Sequence, residues 1–137
     1  MNQIHQAENV DRLIHILLVD DDHGTLEITR KLLERKGYIV ASANKSSEAL
    51  TIIKEYHDVF DVIITDYAMP GMDGIELAMS SNKLLVDTPI ILYTGKIDFL
   101  DKEKAAKAGI AEVVDKPSKV KQLDITIQKV ISEKDEM

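Results

Sequence analysis

Ile16-Leu17-Leu18-Val19-Asp20-Asp21-Asp22 is a stretch in which four aliphatic residues run straight into three acids. Consecutive apolar residues with no polar alternation suit a strand covered on both faces, the usual condition of a parallel sheet packed between helices. The acids mark where that strand leaves the sheet. Outward from it the pattern repeats: His15–Asp20, Ile39–Ala43, Val62–Asp66, Ile90–Thr94 and Glu112–Asp115 read as strands, with helical periodicity between them. Leu26–Arg35 places Ile28, Leu32 and Leu33 on one side and meets Gly37 as its stop. Ser47–Tyr56 turns Ala49, Leu50 and Ile53 inward, with Ser46 or Ser47 as its cap. Gly74–Leu84 carries Leu77 and Leu84 behind an Asp73 cap, and Phe99–Ala108 ends at Gly109. Val120–Ser132 aligns Val120, Leu123, Ile127, Val130 and Ile131 on one stripe. Strict alternation of strand and helix implies right-handed crossovers and an α/β architecture, a single doubly wound (βα)5 domain around a central five-stranded parallel sheet. The domain is expected over residues 14–132, between a flexible N-terminal extension (1–13) and a C-terminal tail (133–137).

Composition narrows what such a domain does. The chain has 137 residues, enough to close one core, with 45% hydrophobic and 30% charged residues. Its longest apolar runs fall far short of the roughly 20 residues that span a membrane, and the polar Met1–Asp11 segment fits no targeting peptide. The absence of cysteine rules out disulfides, thiolate metal sites and cysteine nucleophiles, and the expected location is cytoplasmic. A net charge of −7 argues against direct nucleic-acid contact, which depends on cations neutralising phosphates. The basic run Lys31–Lys36 is interrupted by Glu34 and reads as one solvated helix face.

In a doubly wound sheet, ligands bind outside the carboxyl ends of the strands, near the point where strand order reverses. Asp20-Asp21-Asp22 ends the first strand, Asp66 the third and Thr94 the fourth, while Lys116-Pro117 follows the fifth. Two unit charges about 4 Å apart repel by about 4 kcal/mol at an effective dielectric of 20, so clustered carboxylates demand protons or a cation. An all-oxygen site with few protein ligands suits Mg²⁺. Such an ion screens an incoming phosphoryl group and leaves a carboxylate free to attack phosphorus. A lysine opposite the metal and a threonine hydroxyl complete the donor set for phosphoryl oxygens. Acids, acceptor, hydroxyl and amine in this order make a phosphoryl-transfer site. Singly, Asp66 is an ordinary turn acid, Thr94 a strand residue and Lys116 a solvated lysine; their weight comes from occurring together. His5, His15, His23 and His57 have no ligand-like spacing.

The sequence resembles the receiver domains of two-component response regulators, the chemotaxis-regulator-like family with a flavodoxin-like fold. The resemblance rests on Ile16–Asp22, on Val62-Ile-Ile-Thr-Asp-Tyr-Ala-Met-Pro-Gly-Met-Asp-Gly74, on Pro89–Thr94 and on Asp115-Lys-Pro117, and runs from about Ile14 to Ile131. It implies that Asp66 is the phosphoacceptor. Asp21, Asp66 and the backbone carbonyl of Ala68 would ligate Mg²⁺, with Asp20 acting through water. Thr94 would bind the phosphoryl group, Lys116 would pair with it, and the Lys116–Pro117 bond would be cis. The donor would be a histidine kinase or histidine phosphotransfer protein. Output would pass to a downstream protein partner or an effector domain outside this sequence, through a face made by Asp98–Ala108, Glu112–Asp115 and Ser118–Ile131. That face would also serve a homodimer.

The departures are specific. Val113 stands three before the lysine, where the family usually has Tyr or Phe, so the family's aromatic readout has no matching side chain at that position. Gly95 replaces the usual alanine after the threonine. Ala68 and Lys96 occupy positions that tune phosphoryl lifetime in relatives. An enzyme of the haloacid-dehalogenase type is the first rival. It wants Asp-x-Asp-x-Thr/Val, but the fifth residue from Asp20 is Gly24, and 137 residues leave no room for a cap domain. The complete set Asp20, Asp21, Asp66, Thr94 and Lys116 speaks against the second rival, a phosphorylation-incompetent binding module. No glycine-rich loop of the dinucleotide type is present.

Overall fold

The computed structural model describes residues 13–84 and 86–135, so all but Leu13 of the expected N-terminal extension lies outside the described residues. Its five strands are β1 (His15–Val19), β2 (Ile39–Ala43), β3 (Val62–Thr65), β4 (Ile90–Thr94) and β5 (Ile110–Asp115). Five helices follow them in turn: α1 (His23–Arg35), α2 (Ser46–Tyr56), α3 (Gly74–Lys83), α4 (Lys102–Lys107) and α5 (Val120–Asp135). All pairings are parallel, in the order β2-β1-β3-β4-β5. This is the doubly wound α/β sheet expected from the strand runs. The order reverses across β1 and β3, which places the switch point between the strands ending at Asp20 and Asp66.

The continuous apolar runs are buried on both faces, as parallel central strands require. Val62–Thr65 and Ile90–Thr94 are buried throughout, whereas the edge strand β2 alternates and leaves Ile39 41% exposed. One face of the sheet packs Leu17, Ile63 and Leu92 against Ala49 and Ile53 of α2, Ile75 and Leu77 of α3 and Ala105 of α4. The other packs Ile16, Ile64 and Ile91 against Leu26 and Leu33 of α1 and Leu123 and Ile127 of α5.

Helix boundaries depart from expectation for local reasons. α1 starts at His23 because the Asp22 carboxylate accepts from Gly24 and Thr25 N–H. Its buried residues are Leu26, Thr29 and Leu33, and Ile28, expected inward, is 64% exposed. Neither serine caps α2: Ser46 is its first residue and Lys45 its cap position, without a side-chain bond. Asp73 caps α3 as expected, in a reciprocal box with Glu76, but Leu84 falls beyond the helix end and is exposed. The expected Phe99–Ala108 helix is two pieces, a 3₁₀ turn (Ile97–Phe99) and a six-residue α4 capped by Asp101. α5 carries the expected stripe and runs on to Asp135.

Candidate functional site

Every sequence-predicted side chain arrives at the carboxyl edge of the sheet. Asp20 follows β1 and is 4% exposed, with Oδ1 accepting from the Asp22 N–H at 2.9 Å. Asp21, the next residue, is exposed on the rim. Asp66 follows β3, its N–H held by Val19 O at 2.9 Å and its Oδ1 accepting from Tyr67 N–H at 2.7 Å. Carboxylate oxygens of Asp20, Asp21 and Asp66 lie within 4.8 Å of one another. Lys116 Nζ, reaching over from the end of β5, donates to Asp20 Oδ2 at 2.5 Å and to Asp66 Oδ2 at 3.3 Å. The Lys116–Pro117 bond is cis. Thr94 is fully buried, and its hydroxyl accepts from Lys96 N–H at 3.0 Å. Ala68 is exposed in the loop after Asp66.

The electrostatics follow from this packing. Burial raises the Asp20 carboxyl above its ordinary pKa, partly offset by the hydrogen bonds from Lys116 and Asp22 N–H. Burial also works against the charge of Lys116, but its hydrogen bond to Asp20 and the charges of Asp20 and Asp66 outweigh it and hold the ammonium above its usual value. The lysine is thus the counter-charge of the acid cluster. Three carboxylates converging on one point, one of them on an open rim, form a hard all-oxygen donor set of the kind that suits Mg²⁺ with water in its remaining positions.

Gly74 sets the position of Asp66 in a way that no motif spacing reveals. A β-carbon there would stand 2.3 Å from the Asp66 carbonyl oxygen, 2.9 Å from Leu92 Cδ2 and 3.1 Å from Tyr67 Cα. The first turn of α3 therefore presses directly on the backbone of Asp66, and Gly74 N–H donates to Tyr67 O at 2.8 Å. Tyr93 was also missed. Lys116 Nζ lies 5.4 Å from its ring centroid, and its hydroxyl accepts from Ser118 N–H at 3.3 Å. Its place beside Thr94 and opposite Val114 in the register was the available signal. His23, near the acids in sequence, pairs with Asn44 at 3.0 Å, and His57 lies 3.1 Å from Ile53 O.

Comparison with known proteins agrees with this geometry. The family profile of the response regulator receiver domain matches residues 16–128. The chain is 32% identical over 121 residues to the two-component response regulator ARR11 of Arabidopsis thaliana, covering 88% of this chain and 23% of that protein. It is 32% identical over 121 residues to ORR22 of Oryza sativa subsp. indica, covering 88% of this chain and 17% of the relative. The chain thus spans about a fifth of the length of these curated relatives. Among solved structures, it resembles a response regulator receiver domain protein from Clostridium thermocellum, with a TM-score of 0.84 and 33% identity over 90% of this chain and 98% of the other. A CheY-like receiver domain protein from Methanospirillum hungatei JF-1 gives a TM-score of 0.84 and 30% identity, over 91% and 98%. The chain belongs to the response regulator receiver domain family of two-component signalling.

Proposed function

We propose that this receiver takes a phosphoryl group onto Asp66 from a phosphohistidine donor and signals by changing its surface. The observation that carries the reading is the bridge of Lys116 between Asp20 and Asp66 at the switch point of the sheet. The Asp66 carboxylate attacks phosphorus, the bond from phosphorus to the donor atom breaks, and the leaving group departs with its electron pair. Asp20, Asp21, Asp66 and the Ala68 carbonyl are the groups that would hold Mg²⁺, which when bound supplies charge neutralisation for the phosphoryl oxygens. Lys116 pairs with one phosphoryl oxygen as its contact with Asp66 is replaced. Thr94 accepts from Lys96 N–H, so its own proton is available to donate to another. The protein acts as a switch and not as a turnover enzyme.

A readout at the fourth and fifth helices fits the surface there. A groove of about 400 Å³ lies between Ile97, Leu100 and Lys102 on one side and Glu112 and Val113 on the other. Phe99, at its margin in sequence, is 77% exposed. Val113 is half-buried against the same core as Ala105, so with no aromatic at that position the change reaches this groove through the Thr94–Lys96 bond. This face is the proposed site for a downstream partner or a second copy. A cytoplasmic setting suits the proposed donor, and no described helix is long and apolar enough to cross a membrane.

The test is intact-mass analysis after incubation with acetyl phosphate and Mg²⁺. One phosphoryl group should be added, and chelating the metal should suppress it. A phosphohistidine donor should load the protein faster. Multiple additions, or addition indifferent to chelation, would overturn the mechanism.

A further inference from the structure

Tyr93 is the penultimate residue of β4, and it touches both ends of the turn that carries Lys116. The register arranges this. Tyr93 lies opposite Val114 and Thr94 opposite Asp115, and Lys116 N–H donates to Thr94 O at 2.9 Å. Lys116 therefore leaves the sheet beside Tyr93. Its Nζ lies over the tyrosine ring, 5.4 Å from the centroid. The Tyr93 hydroxyl accepts from Ser118 N–H at 3.3 Å and from Ser118 Oγ at 3.5 Å. One side chain thus meets the ammonium with its face and the residue two further on with its oxygen.

Shelter decides what the ring contact is worth. Tyr93 is 8% exposed and the Lys116 side chain 15%. The space that Tyr93 lines with Leu18, Asp20 and Asp66 is too narrow for a water molecule. Attraction between a cation and an aromatic face strengthens when both are desolvated. Lys96 over Phe99 is the contrast: its Nζ stands 5.9 Å from a ring that is 77% exposed, where solvent weakens the pair. The other partners of Lys116 are the carboxylates of Asp20 and Asp66. One of those is the group that reacts. The ring is a partner the reaction does not alter, so it keeps the ammonium in place while the Asp66 contact is exchanged for a phosphoryl oxygen.

We infer that Tyr93 is a positioning residue for phosphoryl transfer: its ring holds the Lys116 ammonium over the acid cluster, and its hydroxyl pins the turn at Ser118. The inference rests on the reading of Asp66 as the phosphoryl acceptor. An aliphatic residue at this place in β4 supplies burial but neither contact.

Tyr93→Phe and Tyr93→pentafluorophenylalanine separate the parts with little change of shape. The first removes the hydroxyl, and the second also withdraws the ring electron density that attracts the ammonium. Loading from acetyl phosphate with Mg²⁺, followed by intact mass, should be roughly threefold to tenfold slower in the fluorinated protein than in Tyr93→Phe. In a Lys116→Met background the two should load alike, because the ring acts through the lysine. Urea unfolding of the same four proteins gives a readout that needs no phosphoryl group. Fluorination should lower the folding constant roughly threefold to tenfold with Lys116 present, and leave it unchanged without the lysine. Equal loading of the two ring variants with Lys116 present, or one fluorination effect shared by both backgrounds, overturns the positioning role. A parent protein that takes no phosphoryl group sinks the Asp66 reading and this role with it, and the unfolding comparison still reports whether the ring holds the lysine.

Discussion

Replacing Gly74 by alanine probes how the fold holds Asp66. The added carbon would sit 2.3 Å from Asp66 O, where such contacts settle near about 3.3 Å, so α3 must retreat by about 1 Å. Two of the three clashing atoms belong to the backbone, and no side-chain rotation relieves them. Overpacking of this kind costs about 1–3 kcal/mol, and loss of the Gly74 N–H to Tyr67 O bond adds about 1 kcal/mol. Alanine's better helix propensity returns at most about 1 kcal/mol. The net expectation is a loss of about 2 kcal/mol, or roughly 7 °C in midpoint for a domain of this size. Urea and thermal unfolding followed by circular dichroism measure it. Gly95→Ala is the matched control, because its β-carbon would meet only Lys116 O at 3.7 Å and Lys116 Cβ at 3.8 Å, ordinary contacts. That variant should stay within about 0.5 kcal/mol of the parent or gain slightly from reduced unfolded-state freedom. A Gly74→Ala protein within about 1 kcal/mol of the parent would refute the claim that α3 bears directly on the Asp66 carbonyl.

The remaining expectations concern other parts of the molecule. The buried Tyr38 hydroxyl donates to Asp124 and accepts from Gln128 Nε2, which ties the start of β2 to α5, so Tyr38→Phe should cost about 1–2 kcal/mol in urea unfolding. Burial and the Asp124 carboxylate raise the Tyr38 pKa, so the folded state keeps a proton that the unfolded chain releases above about pH 10. Stability should therefore fall as pH climbs past that value, and Tyr38→Phe should lose this part of the slope. Mg²⁺ at ten times its dissociation constant should stabilise the fold by about 1.4 kcal/mol in thermal melts, and Asp21→Ala should abolish most of the response. Phosphorylated protein should decay slowly in Mg²⁺ buffer, because the exposed Ala68 has no polar atom to orient an attacking water. Ala68→Asn should speed that decay, and an unchanged or slower rate would remove residue 68 from control of the water.

The sheet was legible because its central strands are uninterrupted aliphatic runs, a pattern that two-sided burial writes directly into the chain. The site was legible for the same reason: topology alone delivers strand ends to one edge, so Asp20, Asp66, Thr94 and Lys116 met without any knowledge of loops. What escaped depended on contacts distant in sequence or on local competition. The fourth helix is expected from Phe99, whereas Asp101 caps a new helix that starts at Lys102 and Phe99 is left 77% exposed. Ile28 was assigned inward on hydrophobicity, although the i, i+3, i+7 face belongs to Leu26, Thr29 and Leu33. Ser46 looked like a cap by residue type, but the helix begins one residue earlier than that reading needs, with Ser46 inside the first turn and Lys45 at the cap position. The Lys116–Asp20 pair joins residues 96 apart, and nothing in local pattern specifies it.

The central claim is that Asp66, and no other acid of the cluster, receives the phosphoryl group. Its most direct test is to load the protein from a phosphohistidine donor with Mg²⁺, trap the acyl phosphate by borohydride reduction, and map the modified residue by peptide mass spectrometry. The account predicts reduction at Asp66 alone, with none in Asp66→Asn. Modification of Asp20 or Asp21 in the parent, or equal labelling of the Asp66→Asn variant, would contradict it.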